Sequence, residues 1–201
     1  QTELNSTKAT QDTSYSNTVT QNQNSIKQIQ NNYQKYLTEI HEMLEKIDTI
    51  LWVTSENEDA NDDYEIYLWA KNVWVKNQAI ASFSTANTNY ETLKAKVDAF
   101  DYDSLSIDNN ITMLNAFTSL YNNVIDASDL MYQTAANSLE TDALSASDIS
   151  SIKSTMTWYK TTSLSEISTF SNNISTLKTL TNTDLLQTSN SNTITSKEQS
   201  I

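Results

Sequence analysis

Residues 26–53 read IKQIQNNYQKYLTEIHEMLEKIDTILWV. Within this stretch Ile26, Ile29, Tyr33, Tyr36, Ile40, Met43, Ile47 and Ile50 recur at alternating steps of three and four, and Leu37, Leu44 and Leu51 fill the flanking row. Side chains at these steps share one face of an α-helix, so the pattern predicts a helix with a broad apolar stripe. Carried backwards, the register meets Val19 and Tyr15, which places the helix over 15–53. At 1.5 Å per residue it is about 60 Å long.

Three further stretches repeat the period. Over 63–100 the stripe is Ile66, Trp69, Val73, Ile80, Phe83, Tyr90 and Val97, with Ala79, Ala86, Leu93 and Phe100 on the next row. Lys76, Asn87 and Lys94 fall on nominal core positions there, which implies a stripe that drifts sideways along a straight helix. Over 106–139 it is Ile107, Ile111, Leu114, Tyr121, Ile125, Tyr132, Ala135 and Leu139. Over 148–182 it is Ile149, Ile152, Met156, Tyr159, Ile167, Phe170, Ile174, Leu177 and Leu180, opened by Ser147 or Asp148 as N-cap and carrying a four-residue step from Ser163 to Ile167. Four matched segments with short connections favour an all-α fold, an elongated antiparallel, up-down-up-down four-helix bundle over 15–182. A three-helix bundle with the first stretch packed elsewhere is the structural rival. Residues 1–14 and 183–201 are almost wholly polar and read as a flexible N-terminal tail and a C-terminal tail or linker.

Composition agrees. The 201 residues include no glycine, proline or cysteine. The two-residue turns of β-hairpins need residues at positive φ, which glycine supplies at no steric cost. A sheet fold without glycine or proline is hard to build, whereas long helices joined by Asn, Asp and Ser are not. The twelve basic residues are all lysine, and the formal net charge is −13. That balance argues against nucleic acid and anionic lipid as partners. The lack of arginine removes the bidentate clamp for carboxylates and phosphates. No apolar run approaches a membrane span, so no direct membrane insertion is expected.

Chemistry is thinly represented. His41 is the only histidine and lies beside the first stripe, where a half-solvated surface position is expected. With one His and no Cys, the common nucleophile–base sets and histidine metal sites are nearly closed off, and the chain reads as no enzyme and without a cofactor. One metal pattern stands out weakly: Asp59, Asn61, Asp63 and Glu65 alternate like the start of a calcium loop. No glycine follows, and Ala70 sits where a bidentate glutamate is needed. Asp101 and Asp103 read more simply as a turn followed by a cap. The triplets beginning at Asn5, Asn110 and Asn173 match the N-glycosylation pattern, as chance alone produces in so Asn/Ser/Thr-rich a chain.

The topology sets a polarity. The first and third connections share one end, the tip, and the tryptophans Trp52, Trp69, Trp74 and Trp158 all fall in that half. Two readings compete: rings that fill a wider part of the core, or rings that form a binding surface. Trp52, Tyr64, Tyr67 and Trp69 are the candidates for partner contact. The tip also collects acid, much of it explained by helix N-termini. The acidic, lysine-only, Ser/Thr/Asn-rich composition resembles helical modules of surface adhesins of Gram-positive bacteria. That likeness implies an extracellular or cell-surface, secreted interaction module with a protein or glycan partner at the tip. An extracellular four-helix sensor of a membrane receptor and an assembly subunit or spacer, with homo-oligomerisation, are the alternatives.

Overall fold

In the computed structural model, residues 2–57 and 65–198 are described, with side chains described over 9–57, Gln11 apart, and over 66–180. The protein is an all-α helical bundle. Five helices follow in order: α1 Thr2–Gln30, α2 Tyr33–Leu51, α3 Val73–Asp98, α4 Ile107–Ala136 and α5 Ala146–Glu198. The only other helical element among the described residues is a 3-10 turn, Glu65–Tyr67. Two compact units result: one holds 1–32, 101–112 and 171–201, the other 33–100 and 113–170.

Residue pairs fix the direction of the helices in the second unit. Tyr36 meets Phe170, and Met43 meets Ser163, so α2 and α5 run antiparallel. His41 stacks on Tyr90, and Tyr33 meets Phe100 just past the end of α3, so helices α2 and α3 are antiparallel too. Lys160 pairs with Asp129 and Lys153 lies over Tyr132, which sets α4 against α5 in the same sense. Tyr36 on Phe117 and Tyr121 on Glu39 make α2 and α4 parallel diagonals. Up-down-up-down follows.

The core is the face that the stripes define. On α2 the buried set is Tyr33, Tyr36, Leu37, Ile40, Met43, Leu44, Ile47, Ile50 and Leu51, with one acidic residue, Asp48. Phe170 is its aromatic hub. Its ring centroid lies 4.8 Å from that of Tyr36, 5.5 Å from Tyr121 and 5.9 Å from Phe117, in tilted or edge-on arrangements that aromatic quadrupoles favour. Ser163 fills the four-residue step of α5, fully buried with its hydroxyl toward the Met43 sulfur.

Three boundaries differ from the sequence reading. The first helix is interrupted at Asn31–Asn32, where the hydrogen bonding tightens from Asn31 N–H to Lys27 to Asn32 N–H to Ile29. Two consecutive asparagines, whose amides compete for backbone partners, suit such a break; the Asn32 amide donates to the Gln28 carbonyl. The second helix begins at Val73 rather than 63, because Ile66 and Trp69 belong to the 3-10 turn and the turn after it. Its buried row is Val75, Ala79, Phe83, Ala86, Tyr90, Leu93 and Val97. The drift is real, and it leaves Val73 in solvent and Lys94 exposed. The fourth helix is capped by Ser145, not Ser147 or Asp148. Ser145 Oγ accepts from Asp148 N–H, and Asp148 Oδ2 accepts from Ser145 N–H in return, a reciprocal capping box. Those bonds from Ser145 hold the Asp148 carboxyl below its usual range.

The helices also run further than their apolar stripes, with α1 drawn from Thr2 and α5 to Glu198 through the polar ends. In the first unit Ile26, Ile29 and Leu177 are buried. Gln30 Nε2 donates to the Ser104 carbonyl at 2.8 Å, and Lys27 Nζ donates to the Tyr102 carbonyl. The connection behaves as a turn followed by a cap: Asp103 N–H donates to Asp101 Oδ1, and Asn109 N–H to Ser106 Oγ. Asn110 is fully buried, with its amide donating to the Ser106 carbonyl. Along all the long helices Thr and Ser hydroxyls donate to the carbonyl four residues back, as at Thr13, Thr18, Thr85, Thr92, Thr118, Thr157 and Thr176.

A carboxylate pair sits between α2 and α5. Tyr121 donates to Glu39, which also pairs with Lys35 at 3.2 Å. Desolvation first, then the charge of Glu39, pushes the Glu166 carboxyl above its usual range, while Lys35 opposes this. Burial with the same two carboxylates nearby pushes the Tyr36 hydroxyl up to about 12. A raised folded-state carboxyl contributes stability that is full below the unfolded value and lost as pH rises through the folded one. Glu166→Gln is therefore expected to be more stable than the parent at neutral pH, with the gap closing as pH falls through the raised folded-state value and gone by about 4.3. Urea midpoints of the two proteins across pH 3.5–7.5 check this; a gap that widens toward acid contradicts it. Phe170→Ala should cost about 3–5 kcal/mol, since the hub leaves a cavity that three rings cannot close, read from the same titrations.

Candidate functional site at the tip

The end of the second unit where α2 stops and α3 begins is built around a chain reversal without glycine. Helix α2 ends at Leu51, and the next residue, Trp52, has φ 52°. That is the left-handed conformation in which glycine commonly ends a helix, and it strains a residue with a side chain by about 1–2 kcal/mol. Asp48 holds it there. Its carboxylate is buried and takes four donors from the chain that has just turned: Val53 N–H at 3.0 Å, Thr54 N–H at 3.1 Å, the Thr54 hydroxyl, and Asn57 Nδ2 at 2.8 Å. A second tryptophan, Trp69, has φ 153°, also outside the usual range for a side-chain-bearing residue.

The two strained tryptophans meet. Their ring centroids lie 6.0 Å apart, edge to face, and the Lys76 ammonium sits 3.5 Å above the Trp69 ring. Trp69 is buried at 6% exposure and Leu68 is fully buried. Backbone bonds stitch this segment to the end of α4: Leu139 N–H donates to the Tyr67 carbonyl at 2.9 Å, and Lys71 N–H to the Asn137 carbonyl at 2.9 Å. The Tyr67 carbonyl also receives Trp69 N–H, so one oxygen fastens the first connection to the third.

Burial divides the expected contact residues. Trp69 is a core residue and presents no ring to a partner, a correction that follows from its packing under Lys76 and against Trp52. Trp52 and Tyr67 are half-buried. Tyr64 lies outside the described residues. So do Asp59, Asn61 and Asp63 of the calcium pattern, and the Glu65 side chain. Among the described residues no three His, Cys, Asp or Glu side chains group as metal ligands.

The exposed apolar surface lies on their neighbours. Ile66 is 68% exposed, Trp74 66%, Val73 57% and Leu139 44%. Ile66 and Leu139 flank the Tyr67–Leu139 hydrogen bond; Val73 and Trp74 follow closely on the Lys71–Asn137 one. Four large apolar side chains thus stand in water on the two segments that these backbone bonds join. Sequence reasoning missed them because Val73 occupies a stripe position on paper, and Trp74 is simply the residue after it. The signal that finds them is the helix start: once α3 begins at Val73, its buried row opens at Val75 and leaves Val73 and Trp74 on the solvent side. A shallow groove of about 250 Å³ runs beside the patch, lined among others by Lys71, Glu140, Ile149 and Lys153.

His41 is exposed, stacked on Tyr90 at 5.5 Å and remote from this end. No described helix is long and apolar enough to cross a membrane. Compared with known proteins, the chain matches no family model, no curated protein and no solved structure.

Because Asp48 satisfies four donors in a buried setting, Asp48→Ala should lower stability by about 3 kcal/mol. Asp48→Asn should fall between the two, since an amide accepts through one oxygen only. Equilibrium unfolding followed by tryptophan fluorescence measures both; an unchanged midpoint for Asp48→Ala would falsify the role given to the carboxylate.

Proposed function

We propose that the protein is a non-catalytic interaction module, presented at a cell surface or outside the cell, that engages a protein or glycan partner through its tip. The observation that carries this reading is that Ile66, Val73, Trp74 and Leu139 are all exposed on connections joined by two inter-segment backbone hydrogen bonds. Exposed apolar groups scattered singly are ordinary on a soluble protein, but a group of four on a fixed segment has the character of a contact surface. A fixed backbone matters energetically, because a surface that is already ordered loses little conformational freedom on binding. Tryptophan at the centre of such a patch commonly dominates the binding energy. The groove beside the patch is shallow, which suits an extended macromolecular ligand better than a small molecule that needs enclosure.

The test is binding of the isolated chain to arrays of surface glycans and extracellular matrix proteins, comparing the parent with Trp74→Ala, Ile66→Ser and Trp158→Ala. Trp158 is 60% exposed on α5 and serves as the control for a lone surface tryptophan. Loss of roughly tenfold or more in affinity for Trp74→Ala and Ile66→Ser, with Trp158→Ala near the parent, is the expected pattern. Equal binding by all four proteins removes the tip from the reading.

A further inference from the structure

Away from the tip, the seam between α2 and α5 carries an arrangement of charge that packing alone does not require. The two helices run antiparallel, and Tyr36 meets Phe170 as Met43 meets Ser163. Both helices advance seven residues between these contacts, so they step together. Glu39 comes three residues after Tyr36 and Glu166 four before Phe170, which brings the two carboxyl groups level with one another along the seam. Their partners differ. Glu39 accepts from the Tyr121 hydroxyl of α4 at 3.2 Å and pairs with Lys35 of its own helix at 3.2 Å. Glu166 is half-buried and has no hydrogen-bond donor and no ion-pair partner among the described residues. The charged and titratable groups around it are Lys35, Tyr36 and Glu39 from α2 and Tyr121 from α4. Helix α3 meets α2 at His41, two residues beyond Glu39 and so on the far side of that helix.

We infer that Glu39 and Glu166 form a proton-operated clasp: a proton taken up by Glu166 is donated in a hydrogen bond to the Glu39 carboxylate and draws α5 onto α2, and its loss as pH rises leaves two like charges facing across the seam. The step adds one proton to a carboxylate oxygen and forms one O–H···O bond, and no other bond changes. Hydrogen bonds from a hydroxyl to a carboxylate are short and about twice as strong as neutral ones. Tyr121 and Lys35 suit Glu39 to the acceptor's part, because a carboxylate takes several donors at once and a neutral carboxyl fewer. Glu166, without a donor, gains a partner only by carrying the proton itself. Burial first, and then the charge of Glu39, push the Glu166 carboxyl above the usual range, while Lys35 opposes them. The folded protein therefore holds this proton more tightly than the unfolded chain does. The clasp is fully closed below the unfolded value of about 4.3 and opens as pH rises through the higher folded value. It concerns the side of the bundle and stands whether or not the tip is the contact surface.

The experiment follows the glutamate carboxyl resonances of the full chain by NMR across pH 3.5–8, with the Glu166 signal assigned by its loss in Glu166→Gln. In the parent the Glu166 midpoint is expected above the ordinary glutamate value of about 4.3. Glu39→Gln should move it down and Lys35→Gln should move it up, since one removes the facing charge and the other the nearby cation. Glu91→Gln, which removes an exposed carboxylate of α3, should leave it in place. Amide hydrogen exchange, corrected for its intrinsic pH dependence, reads the closing of the clasp. Protection over residues 163–170 of the parent should rise about threefold or more between pH 7.5 and 4.5, and Glu166→Gln should lack most of this rise. A raised midpoint that depends on Glu39, together with acid-dependent protection that depends on Glu166, supports the inference. An ordinary midpoint for Glu166, or a raised one that Glu39→Gln leaves unchanged, overturns it, because the carboxyl is then solvated or merely buried. An equal shift in Glu91→Gln overturns it as well, by tracing the effect to net charge. So does protection over 163–170 that is the same at both pH values.

Discussion

Asp48 is the interaction on which the end of the bundle depends. A chain without glycine still has to leave the C-terminus of a helix, and the usual exit is a residue at positive φ. Here a tryptophan takes that conformation at Trp52, and a buried carboxylate four residues earlier gathers the donors of the residues that follow. The strain at one residue is offset by charge-assisted bonds at several others. Because Trp52 is held in place, its ring is available to Trp69; because Trp69 is held, the Tyr67 carbonyl lies where Leu139 N–H can reach it. One carboxylate thus supports the joining of two connections far apart in sequence.

Deeper in the second unit the constraint changes from backbone to packing. Tyr36, Phe117, Tyr121 and Phe170 interlock through edges and faces, and the Tyr121 hydroxyl donates to the Glu39 carboxylate. This arrangement keeps polar atoms at the margin of an otherwise apolar core. It also explains how tyrosine can occupy stripe positions that leucine fills in most bundles: each has an apolar body for the core and a polar tip that finds a partner.

The helical fold was legible because periodicity survives on α2 almost without fault. Every stripe position from Tyr33 to Leu51 is buried. What periodicity does not contain is the conformation of the connections. Asp48 lies one step from the stripe and reads as an exposed acid; its burial depends on donors from Val53 to Asn57 that only the three-dimensional turn brings back to it. Trp69 and Val73 both sit on the same written stripe, yet one is buried and the other stands in water, because the helix starts between them. The break at Asn31–Asn32 was likewise invisible to a pattern that steps over both residues. The apolar side chains that face solvent at this end are neighbours of those the pattern picks out.

The hydroxyls that bond back to their own helices have a consequence for how the rest of the molecule meets its surroundings. A threonine whose proton is already given to the carbonyl four residues earlier turns its methyl group and its oxygen lone pairs outward. Repeated along α1, α3 and α5, this produces helix flanks that count as hydrophilic by composition but have few hydroxyl protons left to offer another molecule. Such flanks accept hydrogen bonds from water without competing strongly for the acceptors of a neighbour.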